Sequence, residues 1–565
     1  MLGGVALAVA GAATAHAKTP PATRPNVVVI VLDDVGFSDL GAFGSEICTP
    51  HMDAIAADGL RFNRFDTKAL CSPTRAALLT GRNNQTVGMA DLPTELVRPD
   101  DHTKDRGELA KNAETLAEAL RRGGYATLAF GKWHLSPEPE DGRPGANASL
   151  PLQRGFDRFY GFLAGWTDQY HPDLVRDNAP LPKPDAPDYH VSPDLIDRTI
   201  EGVEAVRSAS AEKPFFAYVA LGAAHAPIQV PRPYIEGYAG VYEKGWDAIR
   251  EERFARMKRM GVIPPDTRLP PRNPSDKPWS ELTEDERVVF ARYMAVYAGF
   301  MTHADDQIGR LVARLKAMGV YDDTLIVLMS DNGAASEAGP NGTFQRLYRE
   351  DKLSIAEIRA RLGDLGTDKT QSEYPKAWAM AGVTPLRRYK AWPYAGGVRA
   401  PLIVSYPKLI RDRGAIRPQF LDVVDLAPTI ADFAGVSFAD TLDGVRQIPL
   451  AGRSMRKVLV DPRAPGRAVQ FFELRGHRAI TSGPWRAVAM HRNGEPFDHD
   501  RWELFDLSKD FSESTDLSAQ QPEKLSELKA LWFAEARKYS TPALSEMLER
   551  YKRRSRYEEF SGTTP

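Results

Sequence analysis

One cysteine, one arginine, an Asp-Asp pair and an Asp-Asn pair carry most of the chemistry that can be read from this chain. Cys71-Ser72-Pro73-Thr74-Arg75 opens a run that closes with Leu78-Leu79-Thr80-Gly81-Arg82. Pro73 suits the first turn of a helix, and Gly81 suits the left-handed position just past its end. Cys71 then stands at a helix N-terminus, where unpaired N–H groups and the helix dipole favour negative charge. Arg75, four residues on, returns to the same face one turn later. Together these features suit an anionic substrate. Read singly, Asp33-Asp34 is a loop start or helix cap, and Asp331-Asn332-Gly333 is a good turn sequence. Lys132 would be a solvated lysine, His134 a packed or capping histidine and His225 a loop residue. Lys390 follows Arg387 and Arg388, so a solvated basic run is its plain reading.

The elements that must position these residues alternate between strand and helix. Asn26–Leu32 is an unbroken β-branched run, as in a strand buried on both faces of a parallel sheet, and it ends at Asp33-Asp34. An amphipathic helix over 115–122 leads to a strand over 125–130, which ends at Gly131-Lys132-Trp133-His134. A strand over 214–221 ends near His225. A long helix over 291–318 precedes a strand over 324–329, which ends at Ser330-Asp331-Asn332-Gly333. Another strand covers 401–405, just after Gly396-Gly397. This alternation predicts an α/β fold, with a mostly parallel sheet flanked by helices on both faces. Ligands bind at the carboxyl ends of such strands, so residues spread along the chain become expected neighbours. Two stretches read as insertions able to cover that edge, 264–278 with six prolines and the polar 336–384.

From about residue 465 short strand-like pieces appear, followed by a helix with Leu525, Leu528, Trp532 and Ala536 on one face. The expected organisation is a catalytic α/β domain over 25–460 and a smaller α+β domain over 465–565, with a short antiparallel sheet and a helix. Residues 2–15 are small and apolar, and Ala15-His16-Ala17 fits a cleavage site, so 1–17 reads as a signal peptide and the protein as periplasmic or secreted. That stretch falls short of a spanning helix, so no stable membrane insertion is expected. Among 565 residues, 73 Lys and Arg nearly balance 75 Asp and Glu, which gives no basic field for nucleic acid. Two cysteines, Cys48 and Cys71, are too few for a disulfide scaffold, although one bridge between them is allowed.

The run Cys71-Ser72-Pro73-Thr74-Arg75 through Leu79-Thr80-Gly81-Arg82 resembles the signature of type I, formylglycine-dependent sulfatases, and the chain is most similar to their bacterial arylsulfatase branch. The resemblance implies an alkaline-phosphatase-like sandwich. It implies that Cys71 is oxidised to Cα-formylglycine, also called 3-oxoalanine, by a formylglycine-generating or anaerobic sulfatase-maturating enzyme. The aldehyde hydrate attacks sulfur, and elimination of sulfate regenerates the aldehyde. Asp33-Asp34 and Asp331-Asn332 resemble the family's metal-binding pairs. With the oxygen at position 71 they make an all-oxygen shell suited to Ca2+ or Mg2+, Ca2+ being favoured by the bacterial resemblance. By the same resemblance Arg75 holds the formylglycine, Lys132 contacts it and the sulfate, and His134 is the base for elimination. His225 and Lys390 bind sulfate oxygens and serve the leaving oxygen. Ala395 departs from the Glu or Gln that many members carry before the Gly-Gly pair, which puts one supporting contact in doubt.

The expected reaction is hydrolysis of a small sulfate ester, an aryl sulfate first. A phosphonate or phosphate monoester hydrolase on the same scaffold is the alternative. A non-catalytic sulfate- or glycan-binding protein closed by a Cys48–Cys71 bridge is a third reading. Arg82 is expected in a structural ion pair. Trp133, Trp392 and Tyr394 are either aromatic surface for the substrate or packing residues. If Cys71 is converted, Cys48 becomes a lone thiol, buried or reactive.

Overall fold

Every residue of the Asn26–Leu32 strand is buried, and the strand lies near the middle of a ten-stranded sheet. A computed structural model describes residues 24–96, 107–137, 148–345, 353–492, 494–539, 541 and 544; the signal-like segment 1–17 lies outside them. From one edge the sheet runs Ile416–Arg417, Leu60–Phe62, Leu402–Ser405, Thr324–Ser330, Asn26–Leu32, Phe215–Ala220, Ala126–Lys132, Arg158–Phe162, Val175–Arg176 and Ala179–Pro180. The five strands from Thr324–Ser330 to Arg158–Phe162 are mutually parallel. Leu402–Ser405 is antiparallel to its neighbours, so the sheet is mixed, and this strand starts at the edge where the parallel ones finish.

Alternate side chains of the central strand enter opposite cores. Val28, Ile30 and Leu32 pack on the side of the helices Pro50–Asp58, Val191–Ala209 and Glu284–Ala317. Val27, Val29 and Val31 pack on the side of Cys71–Thr80, Leu116–Arg122 and Leu426–Ala434. This two-sided burial is the physical reason the strand sequence is continuously apolar rather than alternating. The molecule has an alkaline-phosphatase-like architecture of helices on both faces of a large, mostly parallel sheet.

The long helix begins at Glu284, seven residues before the expected start at 291. Its N-cap Thr283 and Glu286 form a reciprocal capping box, a signal present in the sequence and outweighed there by the apolar pattern further on. The insertion over 264–278 contains no helix or strand, yet Asn273 and Asp276 are buried and hold the Tyr389 hydroxyl at 2.9 and 2.8 Å. Within 336–384 the described residues include Ile355–Ala360 and Lys376–Gly382 as helices, and the bridges Thr343–Glu373 and Gln345–Gln371 fold the segment back on itself.

A second sheet of four antiparallel strands, Val469–Leu474, His477–Ser482, Trp485–Ala489 and Trp502–Asp506, carries the helix Pro522–Lys538 through buried Leu528, Trp532 and Ala536. Its opposite face meets Ala69, Leu70, Tyr394 and Val398, so it buttresses the loops that lead into Cys71 and out of Lys390.

Candidate active site

Four parallel strands end side by side, and their ends deliver most of the candidate residues. Leu32 is in register with Ser330, Val31 with Ala220, and Ala220 with Gly131. Asp33, Asp331 and Lys132 therefore emerge at one level of the sheet. Asp33 and Ala224 exchange backbone hydrogen bonds with residues across the gap, the Asp33 amide donating to Ala223 O and the Ala224 amide to Asp33 O. This stitches the His225 loop to the acidic pair. Asp34 and His134 both adopt left-handed backbone, φ 62° and 53°, which costs of order 1 kcal/mol or more each and directs their side chains away from the strand axis. Gly131, at φ 94°, has its Cα so close to Ala220 that a Cβ would sit 1.9 Å from the Ala220 carbonyl oxygen.

Cys71 opens the helix Cys71–Thr80, with Leu70 as N-cap and Gly81 at φ 64° closing it, as its sequence predicts. Its Sγ lies 3.2 Å from His134 Nδ1 and is buried. Burial first, then Lys132 and Arg75, hold the His134 imidazole well below its usual range, so it stands neutral beside the thiol. Burial pushes the Cys71 thiol up, against the pull of Lys132 and Lys390. Arg75 donates from Nε and Nη2 to Asp331 Oδ2 at 3.0 and 2.7 Å, and from Nη1 to Lys132 O and the Tyr218 hydroxyl at 3.3 Å each. Lys132 Nζ lies 2.7 Å from Asp33 Oδ2.

Lys390 reaches the same cluster from the other direction. Its loop runs ahead of the antiparallel strand, with the Lys390 amide on Ala334 O and the Ala391 amide on Ala69 O. A Cβ at Gly396 would lie 2.0 Å from Arg388 O, and one at Gly397 2.2 Å from Trp392 O, which explains the Gly-Gly pair as a close backbone approach. Lys390 Nζ donates to Asp34 Oδ2 at 3.0 Å and to Glu337 Oε2 at 2.9 Å. His225 Nδ1 donates to Ala226 O at 2.6 Å, leaving Nε2 on the side of Asp34 Oδ2, 3.5 Å away.

The acidic groups fit a hard cation. Asp33 Oδ1 and Asn332 Oδ1 are buried and receive no hydrogen bond within the protein. Burial first, and then the neighbouring Asp331 and Asp34, push the Asp33 carboxyl up to about 7, against the pull of Lys132 and Arg75. Asn332 Nδ2 donates to Asp34 Oδ1 at 2.7 Å, which turns the amide oxygen the other way. Ligand atoms of Asp33, Asp34 and His225 lie within 4.8 Å of one another. Oxygen donors with one peripheral imidazole suit Ca2+ or Mg2+ better than a sulfur-seeking metal.

Several expectations need correcting. Arg82 makes no ion pair among the described residues; it donates to the carbonyls of Ile448, Thr80 and Glu114 at 2.6, 2.7 and 3.0 Å, a structural role of a different kind. Trp133 is wholly buried on Phe156, with its indole N–H on Ser149 O. Trp392 stacks on His477, and the Tyr394 hydroxyl donates to Glu503, so all three aromatics are packing residues. Cys48 and Cys71 are both free, Cys48 exposed and Cys71 buried, which removes the bridged binding-protein reading and the buried alternative for Cys48. The doubt at Ala395 is met from the far end of the chain: its amide donates to Glu513 Oε2 at 2.9 Å, and Glu513 pairs with Arg486 at 2.9 Å. Glu513, Glu337 and Tyr218 escaped the sequence reading because each lies outside any motif, and only the fold brings them in.

The family model described as Sulfatase matches residues 25–436, and the one described as N-sulphoglucosamine sulphohydrolase, C-terminal, matches 388–532. An uncharacterized sulfatase of Schizosaccharomyces pombe is 32% identical over 541 residues, 91% of this chain and 94% of its own length. An arylsulfatase of Klebsiella aerogenes is 31% identical over 475 residues, 81% of this chain and 96% of its own. Among solved structures, the PsFucS1 sulfatase from Pseudoalteromonas sp. superposes with a TM-score of 0.59 at 20% identity, covering 94% of this chain and 91% of that one. At that identity the structural likeness speaks to the fold.

Proposed function

The chain belongs to the sulfatase family and is a sulfuric ester hydrolase, and on that premise we propose that it cleaves aryl sulfates to a phenol and inorganic sulfate, using a formylglycine made from Cys71 beside a divalent cation. The observation that carries the proposal is the meeting of Cys71, at a positive helix end, with His134, Arg75, Lys132, Asp33-Asp34 and Asp331-Asn332 in one buried cluster. The similarity to the Klebsiella aerogenes arylsulfatase supports the aryl substrate.

Asp33, Asp34, Asp331 and Asn332 would hold Ca2+ or Mg2+, which supplies Lewis-acid polarisation of a sulfate oxygen when bound. The chain's own residues divide the rest of the work. Arg75, locked bidentate on Asp331 Oδ2, fixes positive charge under position 71. Burial draws the Lys132 ammonium down, but Asp33 outweighs it and keeps the charge in place. His134, neutral and 3.2 Å from position 71, can take a proton there through Nδ1. The Nδ1–H bond to Ala226 O keeps one proton of His225 on Nδ1, so Nε2 is the atom that carries the second proton of the imidazolium, and it is from that form that Nε2 gives a proton to the leaving oxygen. Lys390 steadies the transferring group from the opposite wall.

The maturation partner is a formylglycine-generating or anaerobic sulfatase-maturating enzyme. The apolar 2–15 segment and Ala15-His16-Ala17 support export to a periplasm or the medium. No helix among the described residues is long and apolar enough to cross a membrane.

Mass spectrometry of the peptide carrying Cys71 from active protein tests the central claim. Conversion shows as the loss of one sulfur and two hydrogens and the gain of one oxygen; a fully active preparation with an intact thiol refutes it. A kinetic prediction follows for His225→Ala. It lowers kcat/KM for alkyl sulfates, whose leaving alkoxide needs a proton, by about 10- to 100-fold more than for p-nitrophenyl sulfate. Equal losses on both substrates remove the acid role from His225.

A further inference from the structure

The loop that carries Lys390 has an unfavourable backbone shape, and residues far outside it help to keep it there. Arg388 and Ala391, on either side of Tyr389 and Lys390, both adopt left-handed backbone, φ 61° and 70°. Residues with a side chain stay in that region only where the surrounding structure over-determines them. Backbone contacts supply part of the hold, with the Lys390 amide on Ala334 O and the Ala391 amide on Ala69 O. The Tyr389 side chain supplies another part. It is buried, and its hydroxyl donates to Asp276 Oδ2 at 2.8 Å and accepts from Asn273 Nδ2 at 2.9 Å. Resting on the function proposed above, we propose that Tyr389 is a positioning residue for Lys390, and that the 264–278 segment is the rigid anchor to which it is tied.

The anchor is built to be stiff. Six prolines among residues 264–278 restrict its backbone. The helix Gly245–Arg259 fastens it, Arg250 donating to Pro270 O at 2.8 Å and the Trp246 indole N–H to Lys277 O at 3.1 Å. Asn273 and Asp276 are themselves buried and joined, the Asp276 amide on Asn273 O at 2.9 Å and Asn273 Nδ2 on Asp276 Oδ2 at 3.2 Å. Lys376 Nζ, from the helix Lys376–Gly382 of the other insertion, stands 3.6 Å from Asp276 Oδ1. A buried hydroxyl, amide or carboxylate is destabilising when left without a partner, so these groups set one another's positions. Burial and the Asp276 charge push the Tyr389 hydroxyl well above its ordinary range, so it keeps its proton and donates at any assay pH.

The Tyr389 hydroxyl is engaged by Asn273 and Asp276, so its effect on the reaction runs through its covalent neighbour. Lys390 Nζ lies 3.0 Å from Asp34 Oδ2, inside the cluster, where a shift of about 1 Å in a group that meets the substrate costs up to about 100-fold in rate. Without the hydroxyl, the backbone between Arg388 and Ala391 can relax towards an ordinary conformation, and the Lys390 ammonium moves with it.

The test is a double-mutant cycle on full-length matured enzyme: wild type, Tyr389→Phe, Lys390→Ala and the two combined. Tyr389→Phe should lower kcat/KM for p-nitrophenyl sulfate about tenfold and weaken inorganic sulfate about threefold in isothermal titration. Lys390→Ala alone should cost about 100-fold in kcat/KM. In the Lys390→Ala background, adding Tyr389→Phe should change either quantity by less than about twofold, because the two residues act as one unit. Asn273→Ala, which removes one partner of the hydroxyl and no charge, should fall between wild type and Tyr389→Phe. A Tyr389→Phe enzyme at the wild-type rate overturns the proposal, and so does a loss that multiplies with that of Lys390→Ala, which would reduce Tyr389 to general support of the fold. An Asn273→Ala enzyme indistinguishable from wild type removes the 264–278 segment from it. Wild-type protein that hydrolyses no sulfate ester overturns the reading beneath, and the cycle in sulfate affinity still decides whether Tyr389 acts through Lys390.

Discussion

Replacing Cys71 by alanine lowers turnover of p-nitrophenyl sulfate by at least about 10^4-fold and leaves the fold intact. Both halves follow from where the residue sits. Its side chain is buried and its one side-chain hydrogen-bond contact among the described residues is with His134, 3.2 Å away, so deleting the thiol removes little packing and no ion pair. The helix it opens is held by other features: the Thr74 amide on Leu70 O, the Lys68 amide on Thr74 Oγ1 at 2.9 Å, and the left-handed Gly81 at its end. The loss in rate arises because an alanine methyl can neither be oxidised to an aldehyde nor bear a nucleophilic oxygen. The remaining Arg75, Lys132, His225 and Lys390 would still bind a sulfate ester. Alanine at 71 should therefore bind p-nitrophenyl sulfate without turning it over, and titration calorimetry with circular dichroism separates this from unfolding. A Cys71→Ala enzyme within tenfold of wild type removes position 71 from the chemistry.

Asp331→Ala carries the second large effect, and it strikes stability and activity together. Asp331 and Arg75 are both fully buried, and Asp331 Oδ2 accepts two of the guanidinium's hydrogen bonds. Asp33 Oδ2 is the next carboxylate oxygen, at 3.8 Å from Arg75, and it is already engaged by Lys132. Removing one partner of a buried pair leaves a charge without compensation, at about 3–5 kcal/mol. The variant should lose that much in denaturant unfolding and bind Ca2+ more than about 100-fold more weakly than wild type. Asp331→Asn separates the two effects. It keeps the shape and one acceptor oxygen for Arg75, so it recovers part of the stability, while the missing charge still weakens the cation. An Asn variant with wild-type Ca2+ affinity and activity contradicts the placement of Asp331 at the metal.

The site could be read from the sequence to the extent that its residues follow strands. Asp33, Asp34, Lys132, Asp331 and Asn332 each come directly after or within a continuous apolar run, and a parallel sheet gathers the carboxyl ends of its strands by geometry alone. His225 comes a few residues after its strand, near enough for the same rule. The helix end at Gly81 was equally local, since it acts within one turn of Thr80. Lys390 was harder. It precedes its strand, and it reaches the cluster because Leu402–Ser405 runs antiparallel, a fact that pairing with Thr324–Ser330 decides and apolar content does not.

What the sequence by itself determined was the set of groups and the strands that carry them, because burial on both faces and the turn preferences of glycine and proline act over a few residues. The tertiary structure alone decided which groups touch. Glu337 on Lys390, Glu513 on the Ala395 amide and Tyr218 on Arg75 are contacts across 53, 118 and 143 positions. It also decided the fate of the aromatics, since Trp133, Trp392 and Tyr394 adjoin site residues in sequence yet point into the cores. Side-chain direction at such positions depends on which neighbour fills the space beside them, and that neighbour is fixed only when the sheets and loops have packed.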